Sequence, residues 1–295
     1  MTAPKAHERV TIVTVSYNSL TMLSGMLNSL DAGQPVVIVE NGPNDHAEVA
    51  ALAAQCGARP IINDQNEGFG PACNRGAAVA TTEFLLFLNP DTRLDGGALS
   101  ALVAAADTFP HTVAFNPMLT DERGKSGFKR RSVLLPKSAW MKREEPSEPT
   151  VVPVLSGAAF FVRRADFEAV GGFDPRIFLY HEDDDLALRL RAERGGLMVV
   201  PAAKVMHAAG QSTKRSPAIA ALKAFHMGRS RVYTVRKHGV AYGRTRALTQ
   251  GMLAAIAPDA WLSSRRRAKS WSFLKGVLAE LRSPTPLDTA YERPK

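Results

Sequence analysis

Apolar and polar positions change period in a regular order along the first ninety residues. Residues 9–15 (RVTIVTV) are an almost unbroken apolar run, the pattern of a strand covered on both faces. From Ser19 to Leu30 the period becomes helical, with Met22, Leu23, Met26, Leu27 and Leu30 on one side. The cycle then repeats. PVVIVE (35–40) predicts a second strand, and a helix capped by Asp45 runs to about Gly57. RPIIN (59–63) predicts a third strand, a Gly/Ala-rich helix spans about Pro71 to Ala80, and EFLLFL (83–88) predicts a fourth strand. Such alternation predicts an α/β fold on a mostly parallel sheet with helices on both faces.

Further along, residues 121–149 turn basic and then rich in Glu and Pro, which predicts an exposed loop or lid. VVPVLSGAAFFVRR (151–164) predicts a strand, and FLYHEDDDLALRLR (178–191) a loop entering a helix near Asp185. LMVVP (197–201) and KVMH (204–207) predict two short strands, and the chain reads as helical from about Ser216.

Composition narrows the function classes. The 295 residues suit one large α/β domain with an extension, or two smaller domains. A net charge of +9 points to anionic partners: nucleic acid, nucleotide phosphates or lipid headgroups. Two cysteines, Cys56 and Cys73, exclude a disulfide framework. No run of about 18 apolar residues predicts a spanning helix, and the stretch Val10–Val15 is too short for a secretory signal, so a cytosolic location is the default expectation.

In an open α/β sheet, ligands bind beyond the carboxyl ends of the strands. Here those ends carry SYN (16–18), ENG (40–42), NDQNEGFG (63–70) and NPDT (89–92). Turns favour Asn, Asp and Gly anyway, but four such ends on one edge point to a ligand. In Asn89-Pro90-Asp91 the proline stops the strand and Asp91 projects from its end, an oxygen ligand of the kind Mg²⁺ and Mn²⁺ prefer. Glu182, Asp183, Asp184 and Asp185 repel one another unless a cation, a helix N-terminus or a partner such as Arg189 offsets them. One of them can act as a general base towards a hydroxyl, with Phe173, Phe178, Leu179 and Tyr180 as a sugar-stacking wall; the bland alternative is a capped, solvated helix start. Lys214 and Arg215 read either as a diphosphate clamp or as ordinary surface charge. Near the C-terminus, Arg265, Arg266, Arg267 and Lys269 precede Trp271, Leu274, Leu278 and Leu281 at helical spacing. That face fits either an anionic membrane surface or the protein core.

Taken together, VSYN, NEGFGPACNRG, LNPDT, LSGAAFFVRR, GGFDPRIFLYHEDDDLALRLR and HAAGQS resemble family 2 glycosyltransferases of the GT-A fold, within them the bacterial rhamnosyltransferase and galactofuranosyltransferase-like branch. The resemblance spans about Thr11 to Gly239. It implies a Rossmann-like catalytic domain over 1–239, with a nucleotide-sugar half to about 120 and an acceptor half over 121–239, followed by a helical extension over 240–295. It places the donor nucleotide on Thr14, Ser16 and Tyr17, and its base on Glu40, where the family has Asp. The family's Gly-rich donor segment falls on Asn66, Gly68, Phe69, Gly70, Asn74 and Gly76, and the helix that follows presents its N-terminus to the diphosphate. Asn89 and Asp91 stand for the family's acidic metal motif, and His207 joins Asp91 on a divalent cation, Mn²⁺ or Mg²⁺. Asp183 becomes the base, Glu182 orients hydroxyls, Asp185 fixes the helix start, and Ser156, Gly157 and Tyr180 face the acceptor.

The implied reaction is inverting transfer of a rhamnose-type sugar from a dTDP- or UDP-linked donor to a hydroxyl of a glycan or lipid-linked acceptor. Peripheral membrane contact through the C-terminal helix and homo-oligomerisation stay open, and no nucleic-acid partner is implied. The competing readings are a nucleotidyltransferase, which would need a basic Gly-rich signature near the first strand that SYNSLTML lacks, and a non-catalytic binding module.

Overall fold

The computed structural model describes residues 5–208, 216–258 and 263–287. They form two compact units. The larger holds residues 5–132, 136–175 and 182–208; the smaller holds 133–135, 176–181, 216–258 and 263–287.

The larger unit is built on one mixed sheet. Its first half follows the predicted alternation: β1 (Val10–Ser16), α1 (Leu20–Leu27), β2 (Val36–Glu40), α2 (His46–Cys56), β3 (Arg59–Ile62), α3 (Phe69–Ala77) and β4 (Phe84–Leu88). There follow β5 (Thr92–Leu94), α4 (Ala98–Thr108), β6 (Thr112–Thr120), β7 (Ser126–Gly127), β8 (Thr150–Val151), β9 (Ala159–Arg163), α5 (Arg164–Ala169), α6 (Glu182–Glu193) and β10 (Gly196–His207). The strand order is β3-β2-β1-β4-β9-β6-β10-β5, with β7 beside β6 and β8 beside β10. β1, β2, β3 and β4 run parallel, while β9 lies antiparallel between β4 and β6.

Period-two alternation splits each central strand between two cores. Val10, Ile12, Val36, Ile38, Phe84, Leu86 and Leu88 face one side, where α1, α2 and α4 supply Leu23, Met26, Val49, Ala53 and Leu102. Val13, Val15, Val37, Val39, Leu85 and Phe87 face the other, where α3 and α6 supply Ala72, Cys73, Leu186, Ala187 and Leu190. Helices α3 and α6 therefore share one face of the sheet. A Cβ on Gly76 would strike the Val13 side chain, so this glycine serves close helix–sheet packing rather than approach to a ligand.

Three expectations change. Within the run 151–164 only Val151, the end of β8, and Ala159–Arg163 are strand, because residues 152–158 bend away to form a loop tied by Asn116. The two strands predicted over 197–207 are one, β10, whose pairing with β6 slips between Val200 and Lys204. Helix α6 begins at Glu182, so all four carboxylates occupy its first turn, where the helix dipole favours them.

In the smaller unit α7 (Pro217–Lys237), α8 (Gly243–Ile256) and α9 (Ser264–Arg282) pack on one another. Ser216 caps α7 by accepting from Ile219 N, with Pro217 at the first helical position, and Ser263 caps α9. Phe273 and Val277 of α9 are buried with Ala224 and Val232 of α7 and Ala247 of α8, and Leu281 packs against them. Of the two readings left open for this helix, Phe273, Val277 and Leu281 show it docked on α7 and α8, while Trp271 of the same helix stays exposed. The apolar side chains left exposed in this unit include Tyr242, Met252, Leu253 and Ile256 of α8 and its N-cap. No helix among the described residues is long and apolar enough to cross a membrane.

Candidate active site

The strand register brings the polar strand ends to one edge. Ser16 lies beside Glu40, and Glu40 beside Ile62, so β1, β2 and β3 end level. β4 pairs Phe87 with Val13, which carries Asn89 and Asp91 to the same edge.

At β2–β3 the organiser is Asn41, a residue the sequence marked only as part of a turn. It is 3% exposed and uses its whole amide. Nδ2 donates to Asn66 Oδ1 at 2.9 Å and to Gly68 O at 3.0 Å. Oδ1 accepts from Asn63 Nδ2 at 2.9 Å and from Glu67 N at 3.1 Å. Asn66 in turn accepts from Gly68 N, and Gly68 takes φ +94°, a conformation that favours glycine, just before α3. The loop over 63–68 is thus fixed from within.

The donor-site candidates divide by accessibility. Thr14, Ser16 and Glu40 are completely buried, so in this structure they floor the edge rather than face solvent. Glu40 Oε1 accepts from Gly42 N at 2.6 Å, which closes the turn after β2. Burial raises the Glu40 pKa above the ordinary carboxylate value, against the opposing pull of the Ser16 hydroxyl and the Gly42 N–H. Tyr17, Asn66, Phe69 and Asn89 are half-buried and reachable. Asn74 is spent elsewhere: Nδ2 donates to Phe173 O at 2.8 Å and Oδ1 accepts from Phe173 N at 2.9 Å. It pins α3 to the loop before α6, a role the sequence reading did not foresee beside its expected place among the donor contacts.

Asp91 and His207 meet through strand pairing. β5 runs antiparallel to β10 with Thr92 opposite His207, and Ala208 N donates to Asp91 O at 3.0 Å. The side chains follow: His207 Nε2 lies 3.4 Å from Asp91 Oδ1, and Asp91 is 3% exposed. One carboxylate oxygen and one imidazole nitrogen this close fit a shared divalent cation of the Mn²⁺ type. Among the described residues no third His, Cys, Asp or Glu completes a cluster, so other positions would fall to substrate phosphates and water, the usual arrangement for such ions. Lys214 and Arg215 lie outside the described residues.

The acceptor-side candidates form the second half of the edge. Asn116 of β6, which the sequence reading passed over, holds the loop before β9: Nδ2 donates to Ser156 O and Ala159 O, and Oδ1 accepts from Ser156 N. Gly157 N then donates to Asp183 Oδ2 at 2.9 Å. A Cβ at Gly157 would stand 3.1 Å from the Asp183 Cβ, so the absent side chain permits this approach. The next residue, Ala158, accepts from Asn89 N at 3.0 Å. An unbroken path of backbone and hydrogen bonds therefore joins Asp183, through Gly157, Ala158 and Asn89, to Asp91.

The four carboxylates of α6 are accommodated separately. Asp185 is fully buried and paired with Arg189 at 2.9 Å, as the sequence suggested. Asp183 and Asp184 share Lys129, at 2.7 and 2.9 Å. Glu182 is 7% exposed; burial, then the Asp183 charge, pushes its pKa up to about 8, so it is protonated at neutral pH. Lys129 escaped the sequence reading because it sits in the run Lys129-Arg130-Arg131, which looks like solvated charge. Tyr180 belongs to the smaller unit. It and His181 adopt left-handed φ values of 68° and 69°, rare for such residues, immediately before α6.

Comparison with known proteins agrees with this architecture. The model of the family described as "Glycosyl transferase family 2" matches residues 11–171. An N-acetylglucosaminyl-diphospho-decaprenol L-rhamnosyltransferase of Mycobacterium tuberculosis is 32% identical over 241 residues, covering 70% of this chain and 78% of that one. A pre-mycofactocin glycosyltransferase of the same species is 28% identical over 204 residues, covering 68% of this chain and 43% of the other. Among solved structures, GalNAc-T7 with UDP, GalNAc and Mn²⁺ superposes with a TM-score of 0.61 at 17% identity, covering 94% of this chain and 58% of that one. The mannosyltransferase of Pyrobaculum calidifontis with GDP-Man and Mn²⁺ gives 0.58 at 14% identity, covering 94% and 88%. These two likenesses show the GT-A fold, and the family match sets aside both the nucleotidyltransferase and the binding-module readings. The chain belongs to glycosyl transferase family 2, and it transfers a sugar from a nucleotide-sugar donor.

Proposed function

We propose that the protein is a metal-dependent, inverting glycosyltransferase that moves a rhamnose-type sugar from a dTDP- or UDP-linked donor to a hydroxyl of a lipid-linked glycan. The observation that carries the reading is the path from Asp183 through Gly157, Ala158 and Asn89 to Asp91 and His207 on one sheet edge. The sugar and the acceptor class rest on the mycobacterial relative, whose name specifies rhamnosyl transfer to a decaprenyl-diphosphate-linked sugar.

In this mechanism Tyr17, Asn66, Phe69 and Asn89 line the donor side, over a floor of Thr14, Ser16 and Glu40. Asp91 and His207 would hold a divalent cation, which supplies Lewis-acid stabilisation of the departing diphosphate. Asp183 accepts the proton of the acceptor hydroxyl as its oxygen forms a bond to the anomeric carbon. The bond from that carbon to the diphosphate oxygen breaks on the opposite side, and one displacement inverts the configuration. Ser156 and Gly157 border the acceptor side. Protonated Glu182 donates a hydrogen bond to a sugar hydroxyl, which an ionised carboxylate cannot do. Residues 1–239 are assigned to catalysis, with the donor half to about 120, and 240–295 to the helical extension.

The test is transfer from dTDP-rhamnose, and separately from UDP-hexoses, to a prenyl-diphosphate-linked N-acetylglucosamine, with product configuration read by NMR. Asp183→Asn should lower kcat by about 10²–10⁴-fold while nucleotide binding persists. Turnover near wild type in that variant removes Asp183 as the base.

A further inference from the structure

Both oxygens of Asp183 are engaged within the protein. Oδ2 accepts from Lys129 Nζ at 2.7 Å and from Gly157 N at 2.9 Å, and Oδ1 accepts from Asp184 N at 2.8 Å. The same ammonium reaches Asp184 Oδ1 at 2.9 Å. Lys129 lies 54 residues from Asp183 in sequence and comes from the segment after β7, so this contact is made by the tertiary fold and not by helical spacing.

The arrangement is not that of a surface ion pair. Only 17% of the Asp183 side chain, 7% of Asp184 and 23% of Lys129 is exposed. Burial works against the charge on Lys129, but the Asp183 and Asp184 carboxylates outweigh it and hold the ammonium well above its ordinary range. The titratable groups facing Asp183 are Lys129 from the loop after β7, the Asp184 carboxylate and the protonated Glu182 from α6. Of these only Lys129 is positive.

We propose that Lys129 is a positioning residue for the catalytic base, fixing the Asp183 carboxylate against Gly157 N and offsetting its repulsion with Asp184. The proposal rests on the reading of Asp183 as the base. Without the ammonium, the Asp183 carboxylate faces the Asp184 carboxylate alone, with the buried, protonated Glu182 beside it. Like charges raise its affinity for a proton and swing it away from Asp184, and a displacement of about 1 Å from the reacting hydroxyl is enough to cost about 10²-fold in rate.

The experiment is the pH dependence of kcat for the full chain and for Lys129→Met, Lys129→Gln, Lys129→Arg and Asp183→Asn, in the transfer assay above. Lys129→Met and Lys129→Gln should lower kcat at pH 7 by about 10–100-fold, leave the donor KM within about twofold, and move the acid limb upward by about 1–3 pH units. Lys129→Arg should restore the limb because it restores the cation. A merely structural lysine would instead give a pH-independent loss. A wild-type limb in both neutral variants, or a limb displaced equally in the arginine variant, overturns the proposal. Misfolding of the methionine variant leaves the glutamine and arginine variants to decide. The two readings separate cleanly: an active Asp183→Asn enzyme sinks the base, whereas an inert Asp183→Asn beside an unmoved limb in Lys129→Met sinks only the role of Lys129.

Discussion

Replacing Asn41 tests whether the donor edge is prearranged by the fold. Asn41→Ala deletes four hydrogen bonds at once. Two involve fully buried partners, Gly68 O and Asn63 Nδ2, and two involve half-buried ones, Asn66 Oδ1 and Glu67 N. A buried polar group left without a partner costs about 1–3 kcal/mol, whereas a group that water can reach loses roughly 0.5–1 kcal/mol. The total is about 3–8 kcal/mol, a large share of the roughly 5–15 kcal/mol that stabilises a folded domain. Part of the loss is local, because the loop over 63–68 can open without the core.

The assay combines urea unfolding with calorimetric titration of dTDP and UDP. Asn41→Ala should lower the unfolding midpoint and weaken nucleotide binding together, since Asn66 and Gly68 lose their support. Asn41→Asp is the sharper arm. It keeps both acceptors for Asn63 and Glu67 N, yet sets a carboxylate oxygen against Asn66 Oδ1 and Gly68 O, so it should be at least as damaging as alanine. If alanine costs less than about 1 kcal/mol and nucleotide affinity stays within twofold, the loop is held by something else and the reasoning fails.

The other predictions follow from single features. Glu182 has its pKa raised by burial to about 8, so the folded state binds a proton that the unfolded chain releases near 4.5. Its contribution to stability is full below about pH 4.5 and is lost as pH climbs through about 8, so the melting temperature of Glu182→Gln should gain on wild type over that window; parallel melting curves from pH 5 to 9 would contradict it. Chelation with EDTA should abolish transfer and added Mn²⁺ restore it, while Asp91→Ala and His207→Ala should each raise the Mn²⁺ concentration needed for half-maximal activity; wild-type activity in excess chelator would remove the metal. Met252, Leu253 and Ile256 on α8 are 52–68% exposed in a unit that holds 18 of the 37 Lys and Arg but 4 of the 28 Asp and Glu. Sedimentation with anionic vesicles should therefore fall in a Met252→Asn, Leu253→Asn, Ile256→Asn triple variant and with added salt, and equal sedimentation with neutral vesicles would refute it.

Much of the fold was legible because the central strands are buried on both faces. The runs at 10–15, 36–40 and 84–88 carry their assignment in composition alone. Asp91 was legible because Pro90 ends one of those runs, and the Asp185–Arg189 pair because it follows helical spacing. Residues 93–120, which form β5, α4 and β6, drew no assignment, and without β5 the meeting of Asp91 with His207 has no visible cause in sequence. Lys129, Asn41 and Asn116 were illegible for a shared reason. Each acts on groups far away in the chain, while locally it looks like a basic run, a turn or an ordinary strand residue.

The three asparagines make a further point about what a glycosyltransferase motif encodes. Asn41 fixes the loop over 63–68, Asn74 fixes the loop before α6, and Asn116 fixes the loop that offers Gly157 to Asp183. An Asn side chain both donates and accepts, so one residue can satisfy an N–H and a C=O of a nearby loop, which a carboxylate or an ammonium cannot do. Loops at the carboxyl edge of a sheet have no ladder to satisfy their backbone groups, yet they must hold ligand-facing atoms still. Asparagine at such positions supplies the missing ladder. A motif such as NEGFGPACNRG thus mixes two kinds of residue, those that face the ligand and those that hold the first kind in place. The hydrogen-bond partners reveal the holding role: Asn74 grips Phe173 N and O, and Asn66 Oδ1 accepts from Asn41 Nδ2 and Gly68 N, although both side chains are only half-buried.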